Sequence, residues 1–194
     1  FPGGSHHRFE HSLGVSHLSG EWLKHLQNIQ GRELQVSERE LKLIQIAGLC
    51  HDLGHGPFSH AFEEWIHAVR PDRADYSHED MSVAMLNLLM DENGLDYSRE
   101  DIDFVSALID GDPTKYMSGG KTRERRFLFD IVSNQRNSID VDKFDYIARD
   151  CYNLGMKTTF DYSRLMSFSR VINDEICFYS KEVYTLYEMF HTRY

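Results

Sequence analysis

The sequence predicts an all-α bundle with a small β-hairpin near residues 169–180. Three observations indicate this fold class. Apolar residues recur at steps of three to five along most of the chain, the spacing of one helix face. Several serines are followed three positions later by an acidic residue, a pattern typical of helix starts. The one strand-like stretch, Glu175–Ser180, follows the turn-forming pair Asn173-Asp174.

The first half of the chain predicts helices in close succession. The first runs over Phe9–Ile29, with apolar positions Phe9, Leu13, Leu18, Trp22, Leu26 and Ile29, and Gly31 is expected to stop it. The later helices run from Ser37 through Leu49, over Ser59–Val69, from Ser77 through Met81, Ala84, Met85, Leu88 and Leu89 to Gly94, and over Ile102–Ile109.

The second half starts with a glycine-rich surface loop at Asp110–Thr122. Helices are then expected at Arg123–Ser133, Ile139–Asn153 and Tyr162–Val171, with the hairpin next and a last helix from about Lys181.

Composition limits the class of protein. The 194 residues are 41% hydrophobic, which is typical of a globular chain, and we expect one domain over residues 1–194. The chain begins without Met and stops within a helical pattern, so we expect it to be truncated at both ends. The net charge of −10 argues against a general nucleic-acid binder. No apolar run approaches the roughly 20 residues of a membrane helix. Three cysteines without a CxxC pair favour an intracellular location, in cytoplasm or nucleus.

Histidines are concentrated near the start, with ten of the eleven before residue 79. The sharpest segment places His51, Asp52, His55, His60 and Glu63 around a Gly-Gly-Pro break. An isolated histidine is usually an ordinary core or surface residue, but three with two carboxylates in 13 residues favour a metal and acid–base site. These ligand types suit a divalent ion such as Zn, Fe, Mn or Mg.

The remaining histidines are interpreted individually. Glu63 follows His60 by three positions on a helix, so we expect it to orient that imidazole for protonating a leaving oxygen. His78 opens a helix and could face a pocket. Five histidines are interpreted as bystanders: His6, His7, His17, His25 and His67.

Residues 138–150 offer the carboxylate that a metal site still needs. An advance of about 100° per residue from Asp142 places Lys143, Tyr146 and Asp150 on one polar arc. The opposite arc is apolar: Val141, Phe144, Ile147, Ala148, Cys151 and Leu154. Periodicity alone favours an ordinary solvated face here over a functional one.

Longer strings resemble a known family, the HD-domain deoxynucleoside triphosphate (dNTP) triphosphohydrolases, and within it the branch that joins a sterile alpha motif to an HD domain. The strings are Arg8-Phe-Glu-His-Ser-Leu-Gly14, Ala47-Gly-Leu-Cys-His-Asp-Leu-Gly-His-Gly-Pro-Phe-Ser-His60, Val132-Ser-Asn134, Ile139-Asp-Val-Asp-Lys143, Ala148-Arg-Asp150 and Tyr187-Glu-Met-Phe-His-Thr-Arg193. The resemblance is weakest at Asp72–Arg126. It implies a helical HD fold and hydrolysis of dNTPs to deoxynucleoside and inorganic triphosphate.

The resemblance also implies residue roles. The metal ligands would be His11, His51, Asp52 and Asp142, and the catalytic group would be His60, Glu63, His55 and His78. Substrate contacts would come from Arg8, His55, His78, Lys143, Tyr146, Asp150 and Arg193, with Asp150 on the sugar 3′ hydroxyl. Glu63 stands where the vertebrate members are expected to carry Asp. Since the whole chain is acidic, the basic side chains and the metal are expected to form a local positive island for the triphosphate.

The resemblance further implies partners: a dNTP substrate, a regulatory nucleotide bound through segments outside this chain, and a homo-oligomer of the full-length protein. Two alternatives stay open. One is an HD phosphohydrolase acting on another nucleotide, such as a 5′-nucleotide or an alarmone. The other is a non-catalytic nucleotide-binding module.

Overall fold

The structure is a computed structural model that describes residues 2–112, 114 and 125–193. Its α-helices are α1 (Arg8–Leu34), α2 (Glu38–Cys50), α3 (His60–Val69), α4 (His78–Asn93), α5 (Arg99–Asp110), α6 (Val141–Leu154), α7 (Tyr162–Ser167) and α8 (Val183–Thr192). Strands β1 (Ser169–Ile172) and β2 (Glu175–Phe178) form an antiparallel hairpin. Short 3₁₀ turns cover Pro71–Arg73, Arg126–Asp130 and Ser180–Glu182. The all-α prediction with a small hairpin is confirmed.

The core lies where α1 meets α2 and α6. Trp22 and Leu26 of α1 are fully buried, and Trp22 packs against Phe144 of α6 with ring centroids 5.3 Å apart. The Trp22 indole N–H donates to Ser169 Oγ at 2.7 Å, which ties the hairpin to α1. These contacts fix α6 and the hairpin relative to α1. Among the described residues, no helix combines the length and apolar character needed to cross a bilayer.

The serine caps predicted from sequence are confirmed. Ser37, Ser77 and Ser98 each accept a hydrogen bond from the backbone N–H three residues ahead, at the starts of α2, α4 and α5. Such caps satisfy backbone donors that a helix start leaves free. Gly94 ends α4 in the left-handed conformation, also as predicted.

The first helix differs from its prediction. It continues through Gly31 to Leu34, with non-helical angles only at Gln30. The Gln30 side chain bonds both the N–H and the C=O of Val171, so a tertiary contact and not the glycine distorts the helix. Phe9, Leu13 and Ile29, expected in the core, are exposed.

Several apolar positions named from sequence in α4 do not lie on its buried face. Met85, Leu88 and Leu89 are exposed, while Val83, Leu86 and Met90 are buried. Ser82 lies on the inner face as well, where its hydroxyl donates to the His51 carbonyl and accepts from the Gly54 N–H.

Two helix predictions in the second half were too long. Residues 126–130 form a 3₁₀ turn and not a regular helix, and the Asp174 carboxylate accepts the Arg126 N–H at its start, at 2.7 Å. The helix from Tyr162 ends at Ser167, because residues 169–172 pair with β2. Most of the predicted loop Asp110–Thr122, and the start of the helix predicted at Arg123, lie outside the described residues.

Candidate active site

Two imidazoles and two carboxylates converge between α1, the end of α2 and α6. His11 Nε2 lies 3.1 Å from Asp142 Oδ1, and His51 Nε2 lies 3.3 Å from the same oxygen. Asp52 completes the group, with Oδ1 3.3 Å from His51 Nε2 and Oδ2 3.6 Å from His11 Nε2. His51 caps the C-terminus of α2, where the chain turns and brings the adjacent His and Asp to one point.

The outer nitrogen of each imidazole is held by a second partner. His11 Nδ1 lies 2.8 Å from Asp145 Oδ2, and His51 Nδ1 donates to the Gly48 carbonyl at 2.8 Å. Because a carbonyl oxygen only accepts hydrogen bonds, His51 carries a proton on Nδ1. His11 Nδ1 donates to Asp145 in the same way, so His11 also carries a proton on Nδ1. Each Nε2 atom faces the carboxylates: it donates a hydrogen bond to them in the metal-free protein and would offer its lone pair to a bound metal.

Asp145 is itself fixed from the other side. Arg149, one turn later on α6, forms two hydrogen bonds to it of 2.8 Å each. Gly14 of α1 leaves the room for this pair, since a Cβ at that position would overlap Asp145 Oδ1. A glycine one turn after His11 is therefore a steric requirement of the site.

This donor set fits a divalent metal ion. The ligand atoms of His11, His51 and Asp142 all lie within 4.8 Å of one another, and ligands bound at about 2.0–2.2 Å stand at comparable separations. Burial lowers the pKa of His11, but its hydrogen bonds with Asp142 and Asp145 outweigh that effect and raise it to about 9. Burial raises the pKa of Asp142, yet the hydrogen bonds from His11 and His51 bring it below its usual range. The carboxylates thus attract positive charge that either protons or a metal can supply.

A second cluster of imidazoles lies beside the first. The His55 ring stacks on His78 with centroids 4.0 Å apart, and His60 stands edge-on to both at 5.0 and 5.1 Å. Burial lowers the pKa of His55 to about 4 against the opposing effect of Asp52, so this imidazole is neutral near pH 7. A neutral His55 ring can stack closely on its neighbour and still donate one hydrogen bond to a phosphate.

Glu63 contacts a different histidine from the one expected. Its Oε2 atom is 3.1 Å from His78 Nδ1 and 3.7 Å from His60 Nδ1. Glu79 also approaches His78 Nδ1, at 3.2 Å. The hydrogen bond therefore orients His78, while His60 keeps 71% of its side chain exposed.

All the predicted site residues except Glu63 line one cavity of about 830 Å³. Lys143 lines the cavity beside Asp140. The buried Asp140 carboxylate caps α6 and lies 3.3 Å from the lysine Nζ. Arg8 contacts both Asp52 and Ser59. Burial raises the pKa of Tyr146 to about 12 despite the nearby charge of Arg193, so the phenol stays protonated and can donate.

The positive island expected from sequence includes the metal, and the side chains of the lining do not make it without that ion. The described residues of the lining include four basic side chains, Arg8, Lys143, Arg149 and Arg193, against five acidic ones, Asp52, Glu79, Asp140, Asp142 and Asp150. With the protonated His11 counted, a triphosphate would meet a lining of little net charge, and a divalent cation in the His–Asp group would make it positive. The electrostatics of the cavity and the geometry of the ligands therefore favour the same ion.

Some contributors to the site were missed. His6 and His7, interpreted as bystanders, line the cavity, and His6 Nε2 lies 2.7 Å from Asp150 Oδ1. His17 and His67 are exposed, as expected for bystanders. Asp145 was missed as well, although a carboxylate three positions after Asp142 shares its helix face, which is the signal that could have found it.

Comparison with known proteins supports this reading of the geometry. Residues 8–150 match the model of the HD domain. The chain belongs to the HD-domain family. The match spans His11, His51, Asp52, Asp142 and Asp150, while Arg193 lies beyond it.

Curated relatives are similar over the whole chain. It is 56% identical to the deoxynucleoside triphosphate triphosphohydrolase SAMHD1 homolog of Dictyostelium discoideum, over 195 residues and 36% of that protein. It is 47% identical to deoxynucleoside triphosphate triphosphohydrolase SAMHD1 of Homo sapiens over 212 residues, 34% of that protein, and of Bos taurus over 213 residues, 36% of that protein. This HD-domain chain thus spans about a third of the length of the curated relatives it matches.

Proposed function

We propose that this HD domain catalyses metal-dependent hydrolysis of dNTPs to deoxynucleoside and inorganic triphosphate. The observation that carries the proposal is the meeting of a His–Asp metal group, an imidazole cluster and Asp150 on one cavity. The relatives named as dNTP triphosphohydrolases supply the substrate class.

The metal would be held by His11, His51, Asp52 and Asp142. A divalent ion at that position supplies positive charge to a phosphoryl oxygen and makes a water molecule more acidic. The protein orients the ligands. Asp145 holds His11 Nδ1 and the Gly48 carbonyl holds His51 Nδ1, so both Nε2 atoms point towards the metal position. Which ion is native, among Zn, Fe, Mn and Mg, is a matter for metal analysis.

The phosphate chain would lie along the basic and imidazole groups of the cavity. Arg8 offers a forked pair of N–H donors, and Lys143, steadied by Asp140, offers a point charge. His55 would donate its neutral N–H group, and His78, held at Nδ1 by Glu63, would turn Nε2 towards the phosphates. Arg193 would contact the phosphates from α8.

Proton transfer to the leaving group would fall to His60. Water attack on the α-phosphorus forms one P–O bond and breaks the bond to O5′, so O5′ needs a proton to leave as a hydroxyl. His60 is the least buried of the three clustered imidazoles, and its exposed edge can exchange protons with solvent. Tyr146 would donate to phosphate or sugar, and Asp150 would accept from the 3′ hydroxyl.

The proposal extends to the protein that contains this domain. On the resemblance to the dNTP triphosphohydrolases, it would assemble as a homo-oligomer and bind a regulatory nucleotide through other segments. An intracellular location, in cytoplasm or nucleus, is supported by Cys50, Cys151 and Cys177, all of which are free thiols.

Product analysis tests the proposal. The full-length protein is incubated with a dNTP and a divalent metal, and the products are separated by ion-exchange chromatography. We expect deoxynucleoside and inorganic triphosphate in equal amounts, and none from the Asp52→Ala variant. Release of mono- or diphosphate would contradict the reaction and favour another nucleotide phosphohydrolase. Metal-loaded protein that binds dNTP without turnover would favour a non-catalytic module.

A further inference from the structure

The residues before α1 form a strap across the end of α6. Gly3 packs against α6 so closely that a Cβ there would overlap the carbonyl oxygen of Asn153. The Ser5 N–H donates to the Gly3 carbonyl at 2.9 Å, which turns the chain towards His6. The strap, residues 3–7, therefore lies on the last turn of the helix that carries Asp150.

His6 of the strap contacts Asp150 directly. Its Nε2 atom is 2.7 Å from Asp150 Oδ1, and both residues line the cavity. His6 Nδ1 is enclosed and finds no hydrogen-bond partner among the described residues. The proton therefore belongs on Nε2, since a buried lone pair without a partner costs less than the loss of a hydrogen bond to a carboxylate.

Within the described residues, the basic side chains of α6 near Asp150 are engaged with other carboxylates. Arg149, its neighbour on α6, commits two hydrogen bonds to Asp145, and Lys143 lies against Asp140. Asp150 Oδ2 receives no hydrogen bond from the described part of the chain, and the carboxylate is about half exposed. One oxygen is thus fixed by His6 while the other is free to accept from a ligand.

We infer that His6 is a positioning residue for sugar recognition: its N–H fixes the Asp150 carboxylate so that Oδ2 accepts a hydrogen bond from the 3′ hydroxyl of a bound nucleotide. The inference rests on the proposed function, which places the sugar beside Asp150. Without the imidazole, a half-exposed carboxylate samples several rotamers, and each bound nucleotide must order it again.

A nucleotide without the 3′ hydroxyl separates positioning from a structural role. The full-length His6→Ala variant is compared with wild type for the KM of a dNTP and for the inhibition constant of the matching 2′,3′-dideoxynucleotide. We expect KM to rise about tenfold, the effect of losing roughly one good hydrogen bond, with kcat changed little and the dideoxynucleotide constant unchanged. His6→Gln keeps an N–H donor and should restore most of the KM. His17→Ala, an exposed histidine of α1, is the matched control.

The outcomes are distinct. Equal weakening of both nucleotides would show that the strap only supports the fold, and would overturn the inference, as would an unchanged KM. Wild-type protein that releases no triphosphate contradicts the proposed function instead. In that case dissociation constants of the same two nucleotides, measured by equilibrium dialysis with metal present, still decide the role of His6.

Discussion

At the scale of single residues, the site depends on the group that holds the Nδ1 atom of each metal-binding histidine. His11 and His51 differ in this respect: a carboxylate faces one Nδ1 and a backbone carbonyl the other. The carbonyl belongs to α2 and is present in any sequence, whereas Asp145 is a side chain that mutation can remove. Asp145 is therefore the more informative position.

Asp145→Asn should weaken metal binding by about 10–100-fold, because the outer partner of a ligating imidazole sets its tautomer and basicity. Isothermal titration of the metal-free protein with Mn²⁺ measures the affinity. The exposed Asp91→Asn change is the control and should leave it unaltered. An unchanged affinity in Asp145→Asn would show that the His11 ring is oriented by packing alone.

The raised pKa of His11 gives a pH dependence. Its value of about 9 in the folded metal-free protein stands above the ordinary 6.5, so the protonated imidazole stabilises the fold below pH 6.5. That contribution is lost as the pH rises from 6.5 towards 9. Metal binding displaces the proton, so affinity should increase over the same window, with proton release. Calorimetry in two buffers of different ionisation enthalpy counts the protons, and an affinity independent of pH would refute this assignment.

At the scale of secondary-structure elements, α1 and α6 approach each other closely at the metal group. Gly14→Ala should displace the Asp145–Arg149 pair and so reduce both metal affinity and unfolding temperature. Gly31→Ala, on the same helix, is the matched control: its Cβ would meet only the Gln27 side chain, at 3.3 Å, and alanine favours helix. Thermal unfolding and metal titration check both variants. Equal behaviour of the two would mean that α6 can shift to admit the methyl group.

The N-terminal cap of α2 lies at the opposite end of the helix from the metal group, so a change there should leave the site intact. Ser37→Ala removes the cap and should lower the free energy of unfolding by about 1 kcal/mol. Ser37→Thr keeps the cap oxygen and should retain most of it. Urea denaturation of the metal-free protein gives the difference. Metal stoichiometry should be the same in all three proteins, and a loss of metal would show that the effect reaches His51.

The sequence predicts some boundaries of the secondary-structure elements and not others. Local capping chemistry identified the starts of α2, α4 and α5, because each signal is contained within four residues. It did not find the true ends of α1 and α7 or the 3₁₀ turn at 126–130. These regions contact partners far along the chain that a local pattern does not reveal, such as Val171 for Gln30 and Asp174 for Arg126.

At the scale of the whole molecule, the cavity unites residues from both halves of the chain. The motif segments predicted which residue types belong there, and the resemblance predicted Asp142. The contribution of His6 was not predictable from the sequence, since its partner Asp150 is 144 positions away. The charge balance of the lining also became apparent only once the surrounding acids were placed.

Because α1, α2 and α6 share the metal group, metal binding should stabilise the whole domain. A site occupied at 100 times the dissociation constant adds about 2.7 kcal/mol. The unfolding temperature of wild type should therefore rise with metal and fall again with a chelator. Asp142→Ala should abolish the shift, and the exposed His67→Ala should keep it. A shift that persists in Asp142→Ala would place the ion elsewhere.

The central claim is water attack at the α-phosphorus with departure of the nucleoside oxygen. Hydrolysis of a dNTP by the full-length protein in ¹⁸O-labelled water, followed by mass spectrometry of both products, tests it most directly. We predict one labelled oxygen in the inorganic triphosphate and none in the deoxynucleoside. Label in the deoxynucleoside 5′ hydroxyl, or products that retain phosphate on the nucleoside, would contradict it.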